Sequence, residues 1–381
     1  MNLSYPPEAE AFREELRSWL EANLPEGLTG FSEQLERGSE ELERLRAWNV
    51  VLADAGYAAL SWPEEYGGRG ASLMEQIVFN EEMDRVQAPG PVNIVGMPNI
   101  APAIMQWGTE EQKVRILPRM LRGDDIWCQG MSEPNAGSDL ASLQCRAVLD
   151  GDVFVVNGQK TWNTLGSVAD WCQLYVRTDP SVKKHKGISC LLVDMTLRGV
   201  EVRPLVTITG DPGFSELFFT DVRVPASALL GPLNEGWKVA TTTLAHERAG
   251  VAKLHLGLRR GARELIEQAR EAGVAEDPVL RQKLARVYLE AEYLKLLADR
   301  AISGQLHGRP LGPEGSVAKL VWADVQNHLV EVASEVHGAD AWNLRNGMRR
   351  VSVRSLSIAG GTTQVNKNIV AQRVLGMPRG L

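Results

Sequence analysis

Glu247 is a carboxylate on the apolar face of a predicted helix. Within residues 240–258, apolar side chains recur at steps of three and four, the period of one helical face. The stripe comprises Ala240, Leu244, Glu247, Val251, Leu254 and Leu258. Loss of hydration raises the pKa of a carboxylic acid, so an acid placed there can accept a proton near neutral pH. The spacing makes Glu247 a candidate general base; the alternative is a glutamate at the rim of the stripe that pairs with a cation from another segment.

Two polar motifs offer groups that could hold a flat heteroaromatic ring. The first, QGMSEPNAGSD, spans residues 129–139 and supplies hydroxyls and exposed backbone N–H groups. The second, NGQKTWNT, spans residues 157–164 and places Trp162 and Thr164 close together. An indole suits the face of such a ring and a hydroxyl suits its edge. The alternative is that both are ordinary turns, since Gly, Ser, Asn and Asp dominate turns for backbone reasons.

Composition narrows the class of protein. A chain of 381 residues with 44% hydrophobic and 23% charged residues is typical of a globular protein of two or three packed units. A net charge of -7 gives no basic footprint for nucleic acid, and no apolar run is long enough to span a membrane. The N-terminus lacks a signal-peptide pattern. The four cysteines, Cys128, Cys145, Cys172 and Cys190, are scattered, which favours a reducing, cytoplasmic compartment and argues against a zinc site or a disulfide framework. The six histidines show no ligand spacing either, so no metal is expected.

The periodicity of the chain changes twice and predicts three regions. Residues 1–125 read as amphipathic helices closed by Pro or Gly. Residues 126–230 contain short β-rich runs, including an Asp150-Gly151 hairpin signal. Residues 231–381 are helical again, with candidate helices at 237–273, 277–307, 313–337 and 364–375. The predicted fold is an α+β multidomain protein: an N-terminal helical domain, a middle β-barrel or sandwich, and a C-terminal four-helix bundle.

Four segments in this order resemble the acyl-CoA dehydrogenase family of flavoproteins. SEPNAGSD is similar to the family's TEP-x-AGSD loop, with Ser132 in place of the usual Thr. NGQKTWNT resembles its NG-x-K-x-W-x-T strand. FTDVRVPASALLG resembles the exit from the β domain, and GGTTQVNKNIVAQRVLGMPR the C-terminal signature. The resemblance covers nearly the whole chain.

The resemblance implies a site for FAD and an acyl-CoA ester. In relatives, the isoalloxazine ring is surrounded by the residues that match five positions of this chain: Gln129, Met131, Ser132, Trp162 and Thr164. Ser138 matches a residue near the pantetheine arm of the CoA ester. Thr362 and Gln364 match positions that touch the far half of FAD near a helix start, where free N–H groups suit a phosphate.

The family has two locations for its catalytic base, and the resemblance distinguishes them here. Many members carry a Glu in the C-terminal signature, where this chain has Gly360, which cannot act as a base. Others carry a Glu just before an Arg in the first helix of the bundle, and Glu247-Arg248 matches that arrangement. Arg248 points about a quarter-turn away from Glu247 on a helix. The resemblance implies Glu247 as base, Arg248 with Ser138 as substrate-binding residues, and the Gly360 N–H as an oxyanion donor.

The implied reaction is α,β-dehydrogenation of an acyl-CoA to the trans-2-enoyl-CoA, as in fatty acid β-oxidation. Glu247 would take the α-proton while flavin N5 accepts a hydride, and an electron-transferring flavoprotein would take the electrons. The family implies a homodimer or homotetramer. Some bacterial members, including steroid side-chain dehydrogenases, assemble from two different chains. Two other classes stay open: a flavin monooxygenase or oxidase on the same fold, and a subunit without its own active site.

Two departures from the family pattern concern the adenine half of FAD. Relatives carry an Arg-x-x-Phe-Gly stretch that this chain lacks; Arg281 could supply the charge, or it could lie on a solvated helix face. Relatives also carry a Gln before a Gly-Gly turn, where this chain has Glu335-Val336-His337-Gly338. A carboxylate repels a pyrophosphate, so this half of the site is expected to differ.

Overall fold

The computed structural model describes residues 5–29, 35–210, 212–249, 253–309 and 312–378, except the side chains of 247–249 and 344–346. The chain divides into two compact units, Met1–His246 and Glu247–Leu381. The first unit holds the N-terminal helices, a β-sheet and most of one further helix; the second is helical. The predicted succession of helical, β and helical regions is confirmed.

Five α-helices form the described part of the N-terminal region. They are α1 (Pro7–Asn23), α2 (Glu40–Asp54), α3 (Leu73–Arg85), α4 (Ala101–Trp107) and α5 (Glu110–Arg122). In α1, Phe12, Leu16 and Leu20 recur every four residues and are buried. Helices α3 and α5 begin with capping boxes at Ser72 and Thr109, which satisfy the first free N–H groups. Periodicity and capping thus define these helices locally.

A buried carboxylate joins α1 to α3. Glu82 is 1% exposed and accepts hydrogen bonds from Arg13, Arg17 and Arg85 at 2.7–2.9 Å. Burial acts to raise the pKa of Glu82, but these arginines outweigh it and lower the pKa to about 2. The carboxylate therefore stabilises the fold above its unfolded pKa, and that stabilisation is lost as the pH falls through the folded value.

The middle region, where it is described, holds one eight-stranded sheet. Its strands are β1 (Trp127–Gly130), β2 (Arg146–Asp150), β3 (Val153–Thr164), β4 (Trp171–Arg177), β5 (Ile188–Asp194), β6 (Val200–Leu205), β7 (Phe214–Pro225) and β8 (Leu229–Leu230). The order is β6-β7-β3-β2-β4-β5-β8, with β1 parallel to β4. The predicted hairpin is confirmed: β2 pairs antiparallel with β3, and Gly151 has φ +63° at its turn.

The remaining helices are α6 (Gly236–Ala249), α7 (Leu254–Glu271), α8 (Pro278–Leu306), α9 (Glu314–His337), α10 (Leu344–Ser352) and α11 (Thr363–Ile369). Helices α7, α8 and α9 share one apolar core, to which Leu265, Leu284 and Leu329 contribute. Their side chains recur at three- and four-residue steps, as packed helices require. Helix α11 packs against α9.

The helix predicted over residues 237–273 is two helices in the structure. Helix α6 ends at Ala249 and α7 begins at Leu254, while residues 250–252 lie outside the described part. Gly250 follows the end of α6, and glycine is a poor helix former. The stripe that includes Glu247 is therefore continuous in α6 only through Ala240, Leu244 and Glu247, whereas Leu254 and Leu258 belong to α7 and Val251 lies outside the described residues.

Candidate functional site

A bulge in β3 turns Trp162 outward. The register between β3 and β7 shifts between Lys160 and Asn163, and Trp162 has φ +62°. A positive φ is rare for a bulky residue, and such conformations cost about 1–3 kcal/mol. The Trp162 side chain is 56% exposed and meets Phe214 edge-on, with ring centroids 5.7 Å apart. The bulge thus re-aims a large aromatic ring away from the core, as bulges near binding sites do.

A buried ion pair ties the two polar motifs together. The Lys160 side chain is fully buried, and its Nζ donates to Glu133 Oε1 at 2.8 Å and to the Met131 carbonyl at 3.0 Å. Glu133 also accepts the backbone N–H groups of Gln144 and Cys145. Each buried charge therefore has a partner and further hydrogen bonds, which burial of ions requires.

Two further hydrogen bonds align the motifs side by side. The Thr161 N–H donates to the Ser132 carbonyl at 2.9 Å, and Asn163 Nδ2 donates to the Gln129 carbonyl. The structure thus brings Gln129, Met131 and Ser132 alongside the strand that carries Trp162 and Thr164.

Two polar atoms at this junction lack partners. Gln129 Nε2 and Asn163 Oδ1 are buried, and no described residue forms a hydrogen bond with either. One is a donor and the other an acceptor. Unpaired buried polar groups are uncommon in proteins and often indicate a bound water or ligand group.

Ser138 lies in an exposed turn at the end of the first motif. The next residue, Asp139, pairs with Lys184, and the hydrogen bond from this lysine lowers the pKa of the Asp139 carboxyl. Lys184 begins a short turn of exposed basic residues, Lys184–Lys186. Ser138 is therefore next to a positively charged surface segment.

The C-terminal signature forms a glycine turn followed by a short helix. Gly360 and Gly361 both have positive φ, +64° and +89°, a conformation that favours glycine. Thr362 caps α11, and its Oγ1 accepts the N–H of Val365 at 3.1 Å. Gln364 is in the first turn of α11. The helix start expected at Thr362 and Gln364 is present.

The remaining predicted residues of the helical regions include Glu247 and Arg248 on α6 and Arg281 on α8. The side chains of Glu247 and Arg248 lie outside the described residues, although both belong to the last turn of α6. Arg281 is at the start of α8 with a 62% exposed side chain, 3.8 Å from Glu276, which matches the solvated-face alternative in this single chain. Glu335 accepts two hydrogen bonds from Lys283 at 2.7 and 2.8 Å, so its charge is balanced within the bundle.

Lys160, Glu133 and Asn163 are site residues that the sequence-based assignment missed. Alternation along β3 places Phe154, Val156 and Lys160 on one face, and all are buried. A lysine on an apolar strand face demands an acidic partner. The sequence therefore indicates that Lys160 needs an acidic partner, but it does not indicate that this partner is Glu133.

The sequence matches three family models in chain order. They are acyl-CoA dehydrogenase, N-terminal domain, over residues 6–124; middle domain, over residues 128–222; and C-terminal domain, over residues 234–375. Acyl-CoA dehydrogenase IpdE1 of Mycobacterium tuberculosis is 39% identical, covering 98% of each chain. Acyl-CoA dehydrogenase FadE26 of the same organism is 37% identical, covering 100% of this chain and 99% of the relative.

Solved structures agree with these matches. The Tcur3481-Tcur3483 steroid ACAD superposes with a TM-score of 0.87 at 33% identity, covering 100% of both chains. A chain of the ChsE4-ChsE5 complex from Mycobacterium tuberculosis gives a TM-score of 0.81 at 34% identity, again over 100% of both chains. Within the described residues, no helix combines the length and apolar character needed to cross a membrane. The chain belongs to the acyl-CoA dehydrogenase family of oxidoreductases, whose members are FAD-dependent flavoproteins.

Proposed function

We propose that this protein catalyses FAD-dependent α,β-dehydrogenation of an acyl-CoA thioester, with Glu247 as the base. The observation that carries the proposal is the junction of the two motifs by Lys160 and Asn163. It leaves Trp162 exposed and provides an unpaired donor on Gln129 and an unpaired acceptor on Asn163. A flavin ring has carbonyl oxygens and a ring N–H at its edge, so these residues fit it chemically.

The residues divide the chemistry between binding and proton transfer. Gln129, Met131, Ser132, Trp162 and Thr164 hold the ring, and the flavin when bound supplies the hydride acceptor. Glu247 accepts the proton from the carbon next to the thioester carbonyl.

Two further groups act on the thioester. The Gly360 N–H donates to the carbonyl oxygen, which gains negative charge as the α-proton leaves. A backbone donor needs no side chain, so a glycine serves. Ser138 and Arg248 contact the CoA ester. We expect an electron-transferring flavoprotein as the electron acceptor.

We further propose that the FAD site is completed by a second, different chain of the same family, and that the acyl group is bulky and polycyclic. The similar structures support this, because one is named the Tcur3481-Tcur3483 steroid ACAD and the other the ChsE4-ChsE5 complex. The bundle supports it too. Where relatives use a Gln and an Arg-x-x-Phe-Gly stretch, this chain has the Lys283–Glu335 pair and an exposed Arg281. Thr362 and Gln364 remain as contacts for the far half of FAD.

Flavin absorbance tests this proposal. The chain is purified alone, and then together with each other family chain from the same genome. We expect little colour alone and stoichiometric FAD in one complex of two chains, because the chain's own adenine-binding residues are altered. A yellow homotetramer would reject the proposal that a second chain completes the FAD site, but it would be consistent with the proposed dehydrogenase activity. If the folded protein holds no flavin under any of these conditions, the proposal that it is a flavoenzyme is rejected.

A further inference from the structure

Among the described residues, Lys319 of α9 is a buried cation whose hydrogen bonds go only to main-chain oxygens. The residue is 6% exposed, and its Nζ donates to the carbonyls of Leu356 and Gly361, each at 2.9 Å. Across the described residues, no carboxylate forms an ion pair with Lys319, and Asp324 of the same helix acts on it only from beyond ion-pair distance. Buried lysines are ordinarily paired with an acid, because an isolated buried charge is unfavourable. Lys319 instead binds two carbonyl groups, which points to a role in holding the turn to which those carbonyls belong.

The two carbonyls lie on either side of the signature turn. Leu356 belongs to the short helix Val353–Ser357, and Gly361 immediately precedes Thr362 at the start of α11. Because the Lys319 nitrogen binds both carbonyl oxygens, the two oxygens cannot lie farther apart than the sum of the two hydrogen-bond lengths. Lys319 therefore closes the loop of residues 357–360 across its base.

Asn366 provides a second anchor on the same turn. It is 3% exposed, and its Nδ2 donates to the carbonyls of Gly361, at 2.7 Å, and Thr362, at 3.1 Å. The Gly361 carbonyl thus accepts two side-chain donors, one from α9 and one from α11. Such doubly held carbonyls fix the orientation of their peptide planes.

The turn needs such anchoring because it is rich in glycine. Gly360 and Gly361 both have positive φ, and glycine samples many other conformations when it is unconstrained. No described residue accepts a hydrogen bond from the Gly360 N–H, which leaves this donor available to a ligand. An oxyanion donor is effective only when it is held in place before the charge develops.

We infer that Lys319, with Asn366, is a positioning residue that holds the glycine turn so that the Gly360 N–H meets the thioester carbonyl. The inference rests on the proposed function, which assigns that donor to the oxyanion. Lys319 itself touches neither substrate nor flavin in this account.

A positioning role also predicts what Lys319 does not do. Burial lowers the pKa of the Lys319 ammonium. A neutral amine still has two N–H donors, enough for both carbonyls. The clamp should therefore survive deprotonation, and Lys319 should add no step to the pH–rate profile.

The test compares Lys319→Met with Lys295→Met. Lys295 pairs with Asp299 on α8 and does not contact the turn, so it is a matched control. Loss of one oxyanion donor lowers kcat about 10²–10³-fold, so loss of its orientation should lower kcat by roughly tenfold or more. KM and flavin content should change little. A bound conjugated enoyl thioester, whose absorption shifts to the red when its carbonyl is polarised, should show a smaller shift in Lys319→Met alone.

Parental kcat and red shift in a folded Lys319→Met protein would overturn the inference while leaving the proposed function intact. If Lys319→Met does not fold, Asn366→Ala removes the second donor to the same carbonyl and should lower both quantities in the same direction; parental values would reject the clamp. If even the parental protein shows no acyl-CoA oxidation, the proposed function fails separately. Hydrogen exchange of residues 356–362 then decides the clamp, which predicts faster exchange in Lys319→Met than in Lys295→Met.

Discussion

Glu247→Gln is expected to slow flavin reduction by acyl-CoA about 10²–10⁴-fold, the usual contribution of a positioned base. Glutamine keeps the volume and most of the packing of glutamate but cannot accept the α-proton. Binding of FAD and of acyl-CoA should persist. Anaerobic stopped-flow absorbance measures the reduction rate directly, with flavin content and thermal melting as checks on folding.

Glu235→Gln is the matched control. Glu235 lies just before α6 and pairs with Lys238 on the surface, so the same substitution there should leave the rate within about twofold, as surface pairs contribute little. Parental reduction by Glu247→Gln would show that Glu247 is structural. Adding Gly360→Glu to Glu247→Gln returns a carboxylate at the family's other base position. Gly360 has φ +64°, which costs any other residue about 1–2 kcal/mol, so only slight recovery is expected.

Lys160→Met is expected to destabilise the middle region and abolish flavin retention. It leaves the Glu133 carboxylate buried without its cation, and breaking one side of a buried pair costs about 3–5 kcal/mol. It also frees the Met131 carbonyl, so the first motif loses one of its three attachments to β3 and keeps those from Thr161 and Asn163. Urea unfolding of the chain, and the ratio of flavin to protein absorbance in the assembly that retains FAD in the parental protein, measure the two effects.

Lys183→Met provides the control, because Lys183 is exposed and lies on the same unit. It should keep both the unfolding midpoint and the flavin. The double variant Lys160→Met/Glu133→Gln removes both charges, and should lose less stability than Lys160→Met alone. A flavin-loaded Lys160→Met protein with parental stability would contradict the assigned role of the bridge.

The sequence predicts best what local periodicity controls. Helices predicted at 277–307 and 313–337 are observed as Pro278–Leu306 and Glu314–His337, because their apolar steps and terminal signals agree. The Asp150-Gly151 turn likewise determines its hairpin, since a glycine with positive φ is what the turn requires. The motifs predicted the grouping of Gln129 to Ser132 with the Trp162 strand through family resemblance rather than periodicity.

The sequence predicts least well what depends on long-range partners. Lys160 and Lys319 each occupy a buried face, and alternation or helical spacing can indicate that much. These patterns cannot indicate that Lys160 pairs with Glu133 or that Lys319 binds two carbonyls, because the partners come from distant segments. The break between α6 and α7 was also missed, since the apolar steps run through Gly250 without interruption.

Anaerobic bleaching of the flavin by acyl-CoA decides whether the protein dehydrogenates thioesters. The flavin-loaded protein, with its partner chain if colour requires one, is mixed with short, branched, aromatic and steroid acyl-CoA thioesters. We expect loss of the visible flavin band with at least one thioester, strongest with the polycyclic one, and one trans-2-enoyl-CoA formed per flavin reduced. If no thioester bleaches a flavin that dithionite reduces normally, the protein is not an acyl-CoA dehydrogenase in activity and the account is wrong.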